Sequence, residues 1–401
     1  MHFAESQHHL VRILTILGYP VLREFKSDHS KRCFFAYAIF TKIISLGTIF
    51  FHFCDPILFP HNKATLIFFI WFAESVVNQI CMTVLTLNNI IKDNSLRKVS
   101  TLLEDLQSTF AIDCSQLRRT SDVVTFFVII LYFFVFIPVV FLSKNAFSVP
   151  SLIIKILYTI DGISFTLYEV YLLMLLWSLE KLLIAINFRM IFAFTLGKSQ
   201  PVVPLLTGHS KVLQCVELIN RSFGLFLLLM TLEMLFLLTG NLYCHVFGIW
   251  PVVETERAYL TTIKTLIWIG PQLALWLAVI IKCNRFYYLA NETALCTRHF
   301  DDYSMQNTKV TRQINKFLLK NLHQKKKFSA YGFFDIDNSV IYTANEIALC
   351  TRHFDDCSMQ NTKVTRQINK FLLKNLHQKK KFSAYGFFDI NNSVIYTVLK
   401  D

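Results

Sequence analysis

The sequence predicts an all-α membrane protein, a polytopic bundle of about six complete transmembrane helices with a cytoplasmic N-terminus. Hydrophobic residues make up 54% of the 401 residues, and only 17% are charged. Mean hydropathy is +0.44. A water-soluble fold of this composition would expose large apolar patches, so lipid is the expected solvent. The second observation is that segments rich and poor in basic residues alternate along the chain.

Six stretches are apolar over the length that a membrane-spanning helix needs, which is about 20 residues. A short cytoplasmic N-terminal segment, 1–33, is expected before them, and together they form one transmembrane bundle over residues 34–281. The predicted spans are residues 34–53, 64–87, 123–142, 152–177, 223–243 and 262–281.

The orientation follows from the basic residues between the spans. The N-terminal segment and the segments after the second and fourth spans are rich in Lys and Arg, whereas the other three connections hold only Lys63, Lys144 and Arg257. Cytoplasmic segments retain basic residues, so both the N-terminus and the tail, 282–401, are expected in the cytoplasm of a plasma-membrane protein. A G-protein-coupled receptor would need the opposite alternation. The net charge is +13, and the basic residues lie between apolar runs and in the tail. This distribution favours a membrane surface over nucleic acid as the partner.

The tail contains a tandem duplication. Residues 290–343 and 344–397 are nearly identical, which indicates a recent copying event rather than the shared pattern of a solenoid. In each copy apolar residues at helical spacing precede a basic cluster, and this predicts an amphipathic helix. The copies differ only at Thr293 against Ile347, Tyr303 against Cys357, and Asp337 against Asn391.

Each copy also contains the sequence FSAYGFFDI, at residues 328–336 and 382–390. This segment resembles the C-terminal signature of the insect gustatory receptor family, in which a similar stretch opens the seventh helix. The family's continuation, a Thr-Tyr pair followed by apolar residues and Gln-Phe, does not follow Thr343 or Thr397, so an incomplete seventh helix is expected. The residues that match the motif are Gly332, Phe333, Phe334, Asp335, Gly386, Phe387, Phe388 and Asp389.

The resemblance implies a gustatory receptor subunit that detects a small-molecule tastant. It implies a ligand-gated cation channel formed as a homo- or hetero-oligomer, a tetramer, with other gustatory receptors in membrane lipid. The tastant pocket would lie in the outer half of each subunit. Two alternatives remain: a non-conducting accessory or truncated receptor remnant, and a transporter, which would show inverted symmetry between its halves.

The fourth span holds most of the candidate ligand-binding residues. Polar and ionisable groups at membrane depth are costly, so each is a functional candidate. Four fall on one helix face at i, i+3, i+7 and i+10, and two flank that face. An aromatic wall with a carboxylate can hold a cationic or hydrogen-bonding ligand, while an interhelical hydrogen-bond network is the structural alternative. The residues are Tyr158, Asp161, Phe165 and Tyr168, flanked by Glu169 and Tyr171.

Three further polar residues lie in other spans. Glu74 and Asn78 are at i and i+4 in the second span, and Glu233 is in the middle of the fifth. They are expected to face Asp161 across the bundle, either as a structural pairing or as ligand contacts.

We expect no enzyme activity, cofactor or metal. The sequence has no Walker loop, dinucleotide-type glycine motif, HExxH or GxSxG. The spacing of Cys296 and His299 supplies only half of a zinc motif, and the duplication merely copies it.

Overall fold

A computed structural model gives the fold as long helices with two short hairpins. It describes residues 7–17, 29, 32–40, 43, 44, 47, 76, 77, 79, 80, 83, 84, 95–142, 149–195, 202–246, 255–298, 314, 317, 327–330, 334–336, 383, 384, 388 and 389. The helices are α1 (His8–Ile16), α2 (Ser95–Thr109), α3 (Ser115–Leu142), α4 (Val149–Thr195), α5 (Val202–Val246) and α6 (Thr255–Arg298). The strands are β1 (Ser329–Ala330), β2 (Phe334–Asp335), β3 (Ser383–Ala384) and β4 (Phe388–Asp389).

Helices α3 to α6 contain the four predicted spans that begin at residues 123, 152, 223 and 262. Three of these helices are far longer than a span, with 47 residues in α4, 45 in α5 and 44 in α6. A helix of that length extends roughly 65–70 Å at 1.5 Å per residue, about twice the hydrocarbon thickness. Each of the three therefore continues well beyond the bilayer.

Within the side chains that the structure describes, two stretches are long and apolar enough to cross a membrane: Val202–Leu238 in α5 and Gly270–Thr293 in α6. The other predicted spans lie partly or wholly outside those side chains. The exact span boundaries therefore remain predictions.

Helix α4 is the centre of the bundle. It contacts each of the other five helices, and most of its side chains from residue 164 to 190 are buried. Its sequence is apolar on all sides rather than along one stripe, as expected for a helix surrounded by protein and lipid. One hydrophobic core includes residues of all six helices and of the first hairpin.

Charged side chains cluster near Trp177, where the fourth and sixth spans are predicted to meet the cytoplasm. Buried Glu180 forms ion pairs with Lys282 at 2.5 Å and with Arg285 at 2.7 Å. The ammonium groups of Lys181 and Lys282 lie 5.0 and 5.6 Å from the Trp177 ring. Aromatic rings and basic side chains together are typical of a membrane–water boundary.

Beyond this boundary the ends of α4, α5 and α6 form a second bundle with α1 and α2. Helix α2 has an apolar stripe at helical spacing, and the Gln107 amide donates a buried hydrogen bond of 2.9 Å to Ser178 of α4. Asp105 pairs with Lys211 of α5 at 2.6 Å. The segments expected as basic connections thus contain much of the packed structure. The buried stripe of α2 is Leu96, Val99, Leu103 and Leu106.

Helix α2 ends in a Schellman-type cap. The Ile112 N–H donates to the Gln107 carbonyl at 3.0 Å and the Ala111 N–H to the Ser108 carbonyl at 3.3 Å. Ala111 has φ 45°, the left-handed region in which glycine is usual. The next helix, α3, begins where Asp113 accepts hydrogen bonds from the N–H and hydroxyl of Ser115, and these bonds hold the pKa of Asp113 below its ordinary value.

The two copies of the tail motif form identical hairpins. Strands β1 and β2 pair antiparallel with Ser329 opposite Asp335, and β3 and β4 pair with Ser383 opposite Asp389. The resemblance places this motif at the opening of a helix, yet its described residues, Phe334, Asp335, Phe388 and Asp389, are in strands. Gly332, Phe333, Gly386 and Phe387 lie outside the described residues.

Candidate functional site

Polar side chains from four helices meet inside the bundle near the middle of their predicted spans. Tyr132 of α3 shares a 2.7 Å hydrogen bond with the hydroxyl of Thr166 of α4. The amide of Gln272 of α6 donates to the Tyr132 hydroxyl at 3.5 Å. All three side chains are buried. This chain of hydrogen bonds links three helices across the apolar core, and we call it the mid-depth cluster.

Two carboxyl groups adjoin this cluster. Glu169 lies three residues after Thr166 on α4 and is fully buried, and Glu233 of α5 is 1% exposed. Both lie within electrostatic range of the Tyr132 hydroxyl. Both carboxyl groups are buried inside the bundle, and the expected approach of Glu233 to Asp161 stays a prediction because the Asp161 side chain lies outside the described residues.

Several atoms at the edge of the mid-depth cluster have no hydrogen-bond partner within the part of the chain that the structure describes. They are both carboxyl oxygens of Glu169, the side-chain oxygen of Gln272 and the indole nitrogen of Trp276, one turn further along α6. An unsatisfied polar group in an apolar interior costs about 1–3 kcal/mol. A bound molecule or water that supplied the missing partners would recover this free energy, so these atoms are suited to ligand contacts.

The aromatic candidates of α4 are arranged differently. The Phe165 ring lies 5.4 Å from that of Phe226 on α5, and the Tyr168 ring lies 5.3 Å from both Phe223 and Phe226. The Tyr171 ring stacks on Phe223 at 6.3 Å. All five rings are at most 1% exposed. These contacts give the aromatic residues of α4 a packing role between α4 and α5.

The two groups lie at similar depth on α4 but on different faces of the helix. Thr166 and Glu169 alternate along the chain with Phe165, Tyr168 and Tyr171, and at 100° per residue the two polar residues point away from the aromatic ones.

The remaining sequence-predicted site residues cannot be placed in the cluster. The side chains of Tyr158 and Asp161 lie outside the described residues, although both belong to α4. Glu74 and Asn78 also lie outside them. Their roles stay predictions.

The sequence-based prediction did not include four residues of the site. Tyr132, Thr166, Gln272 and Trp276 carry neutral polar groups, and a search for ionisable residues in the spans passes over them. The signal that finds them is a neutral hydrogen-bonding residue near the centre of an apolar span. Gln272 is the clearest example because it follows Pro271, which removes one backbone donor from α6.

Among the described residues no group of three or more His, Cys, Asp or Glu side chains could hold a metal ion.

The family model of the 7tm chemosensory receptors matches this chain twice. The first match covers residues 8–344 and so includes all six helices and the first hairpin; the second covers residues 342–399, the second copy of the tail.

The chain is also similar to curated insect proteins over shorter stretches. It is 27% identical to gustatory receptor 2a of Drosophila melanogaster over 153 residues, which are 34% of this chain and 36% of that protein. It is 35% identical to gustatory and pheromone receptor 39a, isoform C, of the same species over 92 residues, 23% of each chain. The aligned part thus spans little more than a third of these relatives at most.

Among solved structures, the fold is similar to that of the insect olfactory receptor OR5 from Machilis hrabei. The TM-score is 0.65 at 11% identity, covering 89% of this chain and 98% of that chain. The same receptor in complex with eugenol has a TM-score of 0.59 at 11% identity, covering 86% and 96%. At this level of identity the likeness shows a common fold.

Proposed function

The chain belongs to the 7tm chemosensory receptor family, and from that premise we propose that it is a gustatory receptor subunit that detects a small-molecule tastant. Family membership makes it a helical, multi-pass membrane protein and a receptor rather than an enzyme. The stretches shared with gustatory receptors support the choice of taste among the chemical senses.

The observation that carries the proposal is the mid-depth cluster. A small molecule that entered between α3, α4 and α6 would meet the Tyr132 hydroxyl, the Gln272 oxygen and the Glu169 carboxyl within an otherwise apolar wall. Binding sites for small molecules have this composition, a few convergent polar groups in an apolar pocket. The ligand class is therefore a largely apolar molecule with one or two hydrogen-bond donors or a cationic group.

The similar fold of OR5, a receptor whose structure has been solved with eugenol, supports a small molecule as the ligand. By resemblance, the subunit assembles with other gustatory receptors into a tetramer that gates a cation pore in the plasma membrane. The N-terminus and the tail are placed in the cytoplasm because the basic residues alternate along the sequence.

The test is to express the chain in cells with other gustatory receptors and to record currents while a panel of tastants is applied. Surface labelling of the same cells measures delivery to the plasma membrane. We expect an inward cation current with at least one tastant and partner. Surface delivery without current for every partner and tastant would contradict the proposal and favour a non-conducting accessory subunit.

A further inference from the structure

The first hairpin of the tail docks on the cytoplasmic ends of α5 and α6. The Asn220 amide donates to the Lys327 carbonyl at 3.0 Å, and its oxygen accepts from the Ser329 N–H, also at 3.0 Å. Phe328 is 1% exposed, and its ring lies 5.4 Å from that of Phe286. We call this binding surface, formed by Asn220, Phe286 and Tyr287, the Asn220 cleft.

Charge adds to these contacts. The Lys327 ammonium lies 5.0 Å from the Tyr287 ring and 3.5 Å from the Asp335 carboxylate on β2. The hairpin is thus held on the helices by two hydrogen bonds between its backbone and the Asn220 side chain, by the buried Phe328 ring and by the Lys327 ammonium over the Tyr287 ring. Each of these contacts belongs to the segment 327–335, and every tail residue that makes them has an identical counterpart in the second copy.

The second copy carries every one of these features. Residues 381–390 have the same sequence as residues 327–336. Strands β3 and β4 pair in the register of β1 and β2, with Ala384 opposite Phe388 as Ala330 is opposite Phe334. The chain therefore contains two hairpins of equal sequence and equal pairing, and one Asn220 cleft.

The copies differ where the first one forms the end of α6. There the Thr293 hydroxyl donates to the Asn187 side chain of α4, and the Asn187 amide donates to the Leu289 carbonyl. The second copy has Ile347 in place of Thr293 and cannot make the first of these bonds. The second copy can thus replace the hairpin of the first, but not its helical part.

We propose that the two hairpins compete for the Asn220 cleft of their own chain, so that the receptor exists in two forms that differ in which copy is docked. Equal contacts make their intrinsic affinities equal, and the difference comes from the length of chain that must be closed. About 30 residues separate α6 from β1 and about 84 separate it from β3. Because closure probability falls with the 3/2 power of length, the first hairpin is favoured about fivefold.

The test places a photoreactive benzoyl-phenylalanine at position 287 of the full chain and a protease site between residues 343 and 344. After illumination and cleavage in denaturant, fragment 344–401 stays attached only if the second hairpin was in the cleft. We expect attachment in about one sixth of the cross-linked chains, as the fivefold preference requires.

Matched substitutions in the two copies provide the controls. Phe328→Ala should raise the attached fraction about fivefold, because the first hairpin loses its buried ring, whereas Phe382→Ala should abolish attachment. Ser329→Pro removes the N–H that Asn220 accepts without emptying the core, and it should act in the same direction as Phe328→Ala. Asn220→Ala should reduce capture of both copies.

Two results would overturn the proposal. One is that fragment 344–401 is never attached, even in the Phe328→Ala and Ser329→Pro variants. The other is that it is attached only to differently tagged chains in a mixed sample, which would assign the second hairpin to a neighbouring subunit.

Discussion

Glu180 joins α4 to α6 at the predicted inner edge of the membrane. Its side chain is 4% exposed, whereas those of Lys282 and Arg285 are 24% and 59% exposed. The carboxylate is thus the buried member of the pair, and its removal leaves Lys282 next to Trp177 without its counter-ion. Breaking a buried pair by removing one partner is more harmful than replacing both.

We expect Glu180→Gln to destabilise the receptor by about 1–3 kcal/mol, measured as a lower unfolding temperature in detergent. The double variant Glu180→Gln with Lys282→Met should recover part of this loss. Glu217→Gln is the control: Glu217 also pairs with a basic residue, Arg221, at 2.6 Å, but both side chains are more than 60% exposed. It should cost under about 1 kcal/mol. Equal shifts for the two Glu→Gln changes would contradict this account.

Ala111 supplies a second test at the scale of one residue. A residue with a Cβ in the left-handed region costs about 1 kcal/mol relative to glycine. Ala111→Gly should therefore raise the stability of the receptor by about 0.5–1 kcal/mol, whereas Ala278→Gly inside α6 should lower it by a similar amount. Thermal unfolding compares the two, and a destabilising Ala111→Gly would mean that the cap does not limit stability.

Helix α2 shows how much of an element could be predicted. The basic residues Arg97 and Lys98 place this segment on the cytoplasmic side, and its apolar residues recur at helical spacing. A search for 20-residue apolar runs does not detect it, because an amphipathic helix buries one stripe and leaves the rest polar. The same search does not detect the full lengths of α5 and α6, because their ends bury side chains against protein rather than lipid.

The tail motif shows where the resemblance and the described structure differ. Resemblance predicts the start of a helix at residues 332–335, and the described residues form a strand. The sequence is aromatic and contains Gly332, and both features are typical of a β-hairpin. Local composition would have favoured the observed structure over the one carried across from the family.

The aromatic stack between α4 and α5 predicts a loss of stability rather than of ligand response. Phe223 contacts the rings of Tyr168, Tyr171 and Phe226. Phe223→Ala should destabilise the receptor by about 3–5 kcal/mol, because it leaves a cavity in a closed core. Phe133→Ala is the matched control, because the Phe133 side chain of α3 is 61% exposed, and it should change stability little. Unaltered unfolding of Phe223→Ala in detergent would contradict the packing role.

At the scale of the whole molecule, the alternation of basic residues makes a prediction about topology. The sequons that begin at Asn220 and Asn291 should stay unglycosylated, because they lie on the predicted cytoplasmic side. In the structure the Asn220 side chain also forms a hydrogen bond with the first hairpin, and the Thr293 hydroxyl forms one with Asn187 of α4.

An added sequon with a spacer between residues 247 and 254, after the fifth span, should be glycosylated, and the same insertion between residues 196 and 201 should not. Gel shift after glycosidase treatment measures both. Glycosylation at residues 196–201 would contradict the predicted orientation.

The sequence predicted the all-α membrane fold, whereas it did not indicate the neutral residues of the mid-depth cluster. Spans and orientation follow from averages over many residues, so single substitutions do not obscure them. The mid-depth cluster depends on which neutral side chains of different helices meet, as Tyr132 of α3 and Gln272 of α6 do. Periodicity within one helix cannot specify such a contact.

The most direct test of the central claim, that the mid-depth cluster binds the tastant, is the dose–response of the tastant-evoked current in the Glu169→Gln variant. Glu169 has no hydrogen-bond partner among the described residues, so its replacement should leave folding and surface delivery unchanged. Loss of the carboxyl as a ligand contact, worth about 1–3 kcal/mol, should raise the half-maximal concentration roughly fivefold or more, while Glu217→Gln stays at the wild-type value. A wild-type dose–response for Glu169→Gln would contradict the claim.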